Sequence, residues 1–141
     1  MGEIRQVLVP DIGDFTELRR DGMETERWNL LHPTQAPRKS YVETCLAGRE
    51  GPVVAATDYM RAFSEQIRPY VSGRYICLGT DGFGRSDYRV ALRKFFEVDR
   101  HYVAVAALKC LADGGVLPTQ KVADAIAKYG IDAERSPPWK V

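Results

Sequence analysis

The chain has 141 residues, a length typical of a single domain with a sizeable hydrophobic core. Its 20 lysines and arginines nearly balance its 19 aspartates and glutamates, and no basic stripe is visible, so nucleic acid is not expected as a partner. No apolar run is long enough to cross a membrane, and the first residues lack the apolar core of a secretory leader. We therefore expect a cytoplasmic protein without membrane contact.

The first part of the chain predicts one strand and two short helices. Residues 7–9 form an apolar run that is typical of a strand. Asp14 can cap a helix over residues 15–20, which Gly22 stops. A second short helix is then predicted over residues 24–31.

Two local signals and one strand follow. Ser40 and Glu43 stand at the spacing of a capping box, which predicts a short helix. Residues 52–56 are apolar without alternation, as in a strand that is buried on both faces of a parallel sheet. Thr57 or Asp58 is then predicted to cap the next helix.

The most informative stretch is a glycine-rich turn between a strand and a helix. Residues 75–78 predict a buried strand, and apolar residues at helical spacing, beginning with a buried Tyr88, resume after the turn. Gly82 and Gly84 allow positive φ or a close approach of the backbone. Ser86 is placed to cap the following helix. In open α/β sheets such turns lie where ligands bind.

This turn permits two chemical interpretations. In the first, the glycine amides, a helix N-terminus at Ser86 and the guanidinium of Arg85 converge on a phosphate or carboxylate. In the second, the turn is a tight crossover in which Arg85 pairs with Asp81 or Asp87. Two acids beside one arginine weaken an anion site, which favours the second interpretation.

The last part of the chain is predicted to be helical. Residues 101–112 are apolar nearly all round, which is typical of a central helix or a subunit contact. Thr119 is predicted to cap a final amphipathic helix that Gly130 ends, and residues 136–139 are predicted to be irregular. His101, at the start of the first of these helices, is interpreted as structural.

No catalytic, cofactor or metal residue emerges from the spacing of the titratable groups. His32 has no histidine, cysteine or carboxylate at metal-ligand spacing and is also interpreted as structural. Cys45, Cys77 and Cys110 are far apart, form no Cys-x-x-Cys pair and have apolar neighbours. We predict that all three are reduced core residues, in agreement with a cytoplasmic location.

The order of these elements predicts an α/β fold. Strands at residues 7–9, 53–56 and 75–78 alternate with helices, which indicates a three-layer arrangement around a mainly parallel sheet.

Several strings of residues carry a resemblance to a known family. They are, in chain order, Phe15-Thr16-Glu17-Leu18, Glu26-Arg27-Trp28-Asn29, Ala56-Thr57-Asp58-Tyr59-Met60, the turn from Leu78 to Asp87, Phe96-Glu97-Val98-Asp99 and Val122-Ala123-Asp124-Ala125-Ile126. In this order they resemble the C-terminal domain of the homodimeric bacterial pyruvate dehydrogenase decarboxylase component, a thiamine-dependent enzyme. That domain has the transketolase C-terminal fold.

The beginning of the chain departs from this pattern. The family places an additional strand and helix before the segment that leads into Phe15, and we expect this chain to lack them. Residues 7–15 instead resemble the opening of a lipoyl domain of the acetyltransferase component. We therefore divide the chain into an atypical leader, residues 1–14, and a transketolase C-terminal-like domain, residues 15–141.

The resemblance implies a parent enzyme that converts pyruvate and enzyme-bound lipoyl to acetyl-lipoyl and carbon dioxide. The family holds thiamine diphosphate through magnesium with a Gly-Asp-Gly motif and a later asparagine, between two domains upstream of this one. Here Thr80 precedes Asp81, and the only asparagine, Asn29, lies upstream. No catalytic, cofactor or metal residue is therefore carried over, and thiamine diphosphate and magnesium are expected only in the parent enzyme.

Three functions remain open. The first is a structural domain that completes the fold, the homo-oligomer or the complex of the decarboxylase component, without catalysis by the isolated chain. The second is a free-standing binding module that docks on other components of the pyruvate dehydrogenase complex or binds a small anion at residues 79–87. The third is a remnant that folds without function. We expect self-association, because exposed strand edges and apolar faces invite pairing.

Overall fold

The computed structural model describes residues 12–141, so the predicted strand at residues 7–9 lies outside the described residues. The described part contains six α-helices and two β-strands, with single 3₁₀ turns at Arg68–Tyr70 and Pro138–Lys140. In chain order the elements are α1 (Ile12–Leu31), α2 (Tyr41–Leu46), β1 (Val53–Ala56), α3 (Arg61–Glu65), β2 (Tyr75–Leu78), α4 (Arg89–Phe95), α5 (Arg100–Asp113) and α6 (Thr119–Lys128).

Two of the strands predicted from apolar runs are confirmed. β1 and β2 pair in parallel, with Val53 opposite Tyr75 and Ala56 opposite Leu78. The chain between the two strands contains α3 and a 3₁₀ turn, as a parallel connection requires a crossover. Helices around a small parallel sheet place the domain in the α/β class, as predicted. Both strands end at the same edge, where the segments after β1 and β2 meet.

A single helix replaces the two short helices predicted at the start. α1 runs without a break through Gly22. A Cβ atom at this glycine would collide with the ring of Tyr70, so the glycine serves close packing rather than helix termination. Asp21 also stays helical, and its carboxylate accepts a hydrogen bond from the backbone N–H of Tyr41 at 2.6 Å. The prediction that Gly22 ends the helix was therefore wrong, because a glycine is required here by the tertiary contact with Tyr70 and not by a helix end.

One hydrophobic core joins α1, α2 and the sheet. Its buried members are Phe15, Val42, Ile67, Tyr70, Val71, Tyr75 and Cys77. Burial raises the pKa of the Tyr75 phenol well above its ordinary value. The Tyr75 hydroxyl donates a hydrogen bond to the carbonyl of Ser64 at 2.7 Å, which satisfies a polar group inside this core.

The starts of α3 and α4 differ from the predictions. α3 begins at Arg61 instead of after Thr57 or Asp58, because the Asp58 and Tyr59 carbonyls accept hydrogen bonds from Thr80 and not from a following helical turn. α4 begins at Arg89, and its N-cap is Tyr88, not Ser86.

α5 and α6 pack against each other, and α5 also contacts β1. Asp99 caps α5 by accepting hydrogen bonds from the N–H groups of His101 at 2.9 Å and Tyr102 at 3.0 Å. The apolar character of α5 agrees with its place between β1 and α6. The N-cap of α6 is Pro118, so Thr119, the predicted cap, is the first residue of the helix instead.

Candidate functional site

The glycine-rich turn begins at the edge where both strands end. A Cβ atom at Gly79 would lie 2.6 Å from the backbone nitrogen of Arg61 and 2.7 Å from the carbonyl oxygen of Tyr59. Only glycine permits this approach. The next residue, Thr80, donates its N–H to the Tyr59 carbonyl at 2.8 Å. The turn is thus attached to the segment that follows β1.

Asp81 is engaged by Arg61 and not by Arg85. Its Oδ2 atom lies 3.2 Å from Nε of Arg61 and accepts a hydrogen bond from the Arg61 backbone N–H at 3.3 Å. The Arg61 guanidinium in turn lies 5.0 Å from the centre of the Trp139 ring. The carboxylate therefore joins the turn to α3.

The tail of the chain packs against the turn at Gly82. This glycine has a φ of 132°, and a Cβ atom there would lie 2.9 Å from the carbonyl oxygen of Pro138. Pro138 is fully buried, and residues 138–140 form a 3₁₀ turn. The prediction of an irregular tail is confirmed for residues 136–137 and wrong for Pro138 and Trp139, which pack against a distant turn.

The rest of the turn departs from the predictions. Gly84 lies outside the positive-φ region, and nothing would contact a Cβ atom there. Arg85 pairs with neither Asp81 nor Asp87; its guanidinium lies 4.3 Å from the centre of the Phe95 ring. Ser86 is exposed, and Asp87 accepts a hydrogen bond from the N–H of Tyr88 at 2.8 Å. Since α4 begins later, Ser86 provides no helix N-terminus beside Arg85.

Three large apolar side chains are exposed at the turn and at the beginning of α4. Phe83 is 79% exposed, Tyr88 86% and Val90 81%. We call these three residues the docking patch. The prediction that Tyr88 is buried was wrong, because this residue precedes the first turn of α4 and points away from the core. Phe83 was missed, although a phenylalanine between two glycines has few intrachain neighbours to bury it.

Asp58 holds α4 against the segment after β1. Its carboxylate accepts hydrogen bonds from Arg93 Nε at 3.0 Å and Nη2 at 2.7 Å, and Arg89 Nη2 lies 3.6 Å away. The hydrogen bonds from Arg93 hold the pKa of the Asp58 carboxyl below its ordinary value. These contacts join α4 to the segment that follows β1.

The histidines occupy structural positions. Nδ1 of His32 lies 2.8 Å from the carbonyl oxygen of Trp28, and the two rings are stacked. His101 stacks on Tyr129, and its Nδ1 lies 3.6 Å from the carboxylate of Asp99. That carboxylate already caps α5, so the pair is part of a helix start.

The cysteines do not share one environment. Cys77 and Cys110 are buried, and burial raises the pKa of both thiols. Cys45 is exposed on α2. The prediction that all three are core residues was wrong for Cys45, because its helix lies at the surface and turns only Val42 fully inward.

The described residues contain no cluster of protein metal ligands. Among residues 12–141 no group of three histidine, cysteine, aspartate or glutamate side chains is arranged to hold a metal ion. Asp81, the one residue that resembles the family motif, already contacts the Arg61 guanidinium. A magnesium ion needs free oxygen ligands, and no step of catalysis is assigned to this carboxylate.

The fold and the strand-edge turn belong to a known domain family. The model of the transketolase-like TK C-terminal domain matches residues 7–99, and the chain belongs to this family. The match includes part of the predicted leader. No helix within residues 12–141 is long and apolar enough to cross a membrane.

The similar proteins are much longer enzymes. The chain is 62% identical over 128 residues to the pyruvate dehydrogenase E1 component of Pseudomonas aeruginosa. The aligned region covers 90% of this chain and 14% of that protein. The E1 component of Cupriavidus necator is 59% identical over 127 residues, with the same two shares. The E1 component of Escherichia coli is 49% identical over 146 residues, or 96% of this chain and 16% of that protein. The chain thus spans only a small part of the length of these curated relatives.

Proposed function

We propose that this chain is an assembly domain of a pyruvate dehydrogenase decarboxylase component. Its role is to pack against another domain of that component and to complete a homo-oligomer, without supplying catalytic groups. The identity of 62% to an E1 component supports the choice of parent. The parent oxidatively decarboxylates pyruvate and acetylates lipoyl groups with thiamine diphosphate and magnesium that are bound elsewhere in its chain.

The docking patch is the observation that carries this role. Phe83, Tyr88 and Val90 lie close together in the sequence and are each about four-fifths exposed. Large apolar surface that is exposed in an isolated domain is typical of protein contacts. The chain spans 14% of the matched E1 component, so most of that protein is available as the other side of the contact. The occupant we propose is therefore another domain of the decarboxylase component.

A domain replacement tests this role. Residues 15–141 would replace the matched segment in the Pseudomonas aeruginosa E1 component, and pyruvate decarboxylation and sedimentation would be measured. We expect an active oligomer, and we expect Phe83→Ser with Val90→Ser to weaken its assembly. Lys121→Ser with Lys128→Ser, two exposed positions on α6, serves as the control. An oligomer that tolerates the patch variants as well as the control contradicts the proposal.

The isolated chain is proposed to have no decarboxylase activity. Thermal melts with thiamine diphosphate and magnesium measure cofactor binding, because a ligand of the folded state raises the melting temperature by mass action. Carbon dioxide release measures the activity itself. We expect no shift and no carbon dioxide release from pyruvate. A stoichiometric binding isotherm for thiamine diphosphate would overturn the proposal that the isolated chain is inactive.

We also propose that the domain works in the cytoplasm, together with other components of the complex. Its three cysteines form no disulfide, which suits a reducing compartment.

A further inference from the structure

A basic cleft lies beside α4 and is lined by residues other than those of the docking patch. Arg85 from the turn, Lys94 from α4 and Arg135 from the segment after α6 line it together with Asp87, Ala91 and Phe95. It is a shallow depression that is largely open to solvent, with a volume of about 350 Å³. We propose that this basic cleft binds a small molecule through a phosphate group.

Phe95 holds the two arginines in place. The Arg85 guanidinium lies 4.3 Å and the Arg135 guanidinium 4.8 Å from the centre of its ring. Arg135 Nη2 also donates a hydrogen bond to the Phe95 carbonyl at 3.0 Å. Two guanidinium groups are therefore positioned on one ring before any ligand arrives, which reduces the ordering that binding requires.

The charges of the cleft are not balanced within the described residues. Arg85, Lys94 and Arg135 form no ion pair among residues 12–141, whereas Arg61, Arg68 and Arg93 each contact a carboxylate. Asp87 is the single acid among the residues that line the cleft, so three positive charges face one negative charge within this lining. Lys94 and Arg135 also line an adjacent depression, which contains Asp99 and Asp132. A phosphate with two negative charges matches this excess better than a single carboxylate does.

The donor types also favour phosphate. A guanidinium group can donate two parallel hydrogen bonds to phosphate oxygens, and a lysine ammonium adds a point charge. The sequence predicted an anion site formed by the glycine amides of the turn. The cleft shares only Arg85 with that site, and its other cations come from α4 and from the segment after α6. None of Phe83, Tyr88 and Val90 lines the cleft, so phosphate binding goes beyond the assembly role and does not depend on it.

Titration of the full chain with inorganic phosphate and with diphosphate, at constant ionic strength, tests the proposal. Calorimetry measures affinity, and amide chemical shifts locate the site. We expect saturable binding of one ion, with shifts centred on Phe95 and Arg135. Tighter binding of diphosphate would identify a ligand with linked phosphates, and equal binding a single phosphate group. Binding that does not saturate, or shifts spread over the surface, would overturn the proposal.

Matched variants separate the cleft from general surface charge. Arg85→Ala and Lys94→Ala should each weaken binding about tenfold, since a hydrogen bond to a charged group contributes about that much. Arg49→Ala removes one exposed charge outside the cleft and should leave affinity unchanged. Circular dichroism verifies that each variant is folded. Equal losses in Arg49→Ala and Arg85→Ala would contradict the site. Phe83→Ser should retain phosphate binding, whatever happens to assembly.

Discussion

Gly82 and Gly84 stand two positions apart but have different structural requirements. Gly82 has positive φ and contacts the Pro138 backbone, whereas Gly84 has neither constraint. We expect Gly82→Ala to lower the free energy of unfolding by about 1–3 kcal/mol, because it combines backbone strain with a steric clash. Gly84→Ala should change it by no more than about 0.5 kcal/mol. Urea denaturation of both variants measures the difference, and equal effects would contradict the described turn.

The three thiols should differ in reactivity. Cys45 is exposed, whereas Cys77 and Cys110 are buried and have raised pKa values, so their thiolate fractions are small at neutral pH. We expect one thiol to react rapidly with a disulfide reagent in the native chain and the other two only after unfolding. Cys45→Ser should abolish the rapid phase. Rapid labelling of two or three thiols in the native chain would contradict this arrangement.

At the scale of elements, the capping box of α2 provides a direct test of local stability. Ser40 accepts the N–H of Glu43 at 3.2 Å, and Glu43 accepts the N–H of Ser40 at 2.7 Å. We expect Ser40→Ala to cost about 1 kcal/mol of stability. Thr119→Ala is the matched control, because Thr119 lies within α6 and caps nothing. Thermal unfolding compares the two, and a larger loss at Thr119 would contradict the assigned caps.

Local sequence patterns predicted those elements whose causes are local. The apolar runs of β1 and β2 and the capping box were found correctly, because each depends on residues that are close in sequence. α1 was divided in two, since nothing near Gly22 reveals that the Tyr70 ring packs on it. The start of α3 was placed too early, because the Asp58 and Tyr59 carbonyls accept hydrogen bonds from Thr80, which follows a different strand.

The candidate site was located but its contacts were not. The glycines marked the turn and its place after β2. Arg85 was assigned an acidic partner nearby in sequence, while its actual neighbour is the ring of Phe95. Arg135 could not be identified as part of the basic cleft, because only the packing of the segment after α6 brings it there.

At the scale of the whole molecule, carboxylates with lowered pKa values predict a loss of stability in acid. Hydrogen bonds from Arg93, Arg68 and Lys109 lower the pKa of Asp58, Glu65 and Asp113 respectively. A carboxylate whose pKa is lower in the folded state stabilises it above the unfolded value, about 4, and loses that contribution as the pH falls through the folded value. We expect the free energy of unfolding to fall below about pH 4.

Asp58→Asn measures one part of this dependence. At pH 7 the variant should be less stable by about 0.5–1 kcal/mol, a small value because the Asp58 side chain is 56% exposed and its charge is screened. The difference should disappear in acid, where the native carboxyl is protonated. Asp124→Asn, which breaks no ion pair among the described residues, should show no such trend. A difference that is constant from pH 7 to pH 2 would contradict the ion-pair assignment.

The contact between Gly82 and the Pro138 backbone has a consequence for the order of folding. This contact joins two segments that are far apart in the chain. Forming it closes a long loop, which costs more conformational entropy than forming the helices or pairing β1 with β2. Contacts of long sequence separation form slowly. We therefore expect the turn to reach its native conformation late, after α5 and α6 have packed together and residues 138–140 have come into contact with it. The surface that carries both proposed contacts is then complete only when the rest of the domain has folded.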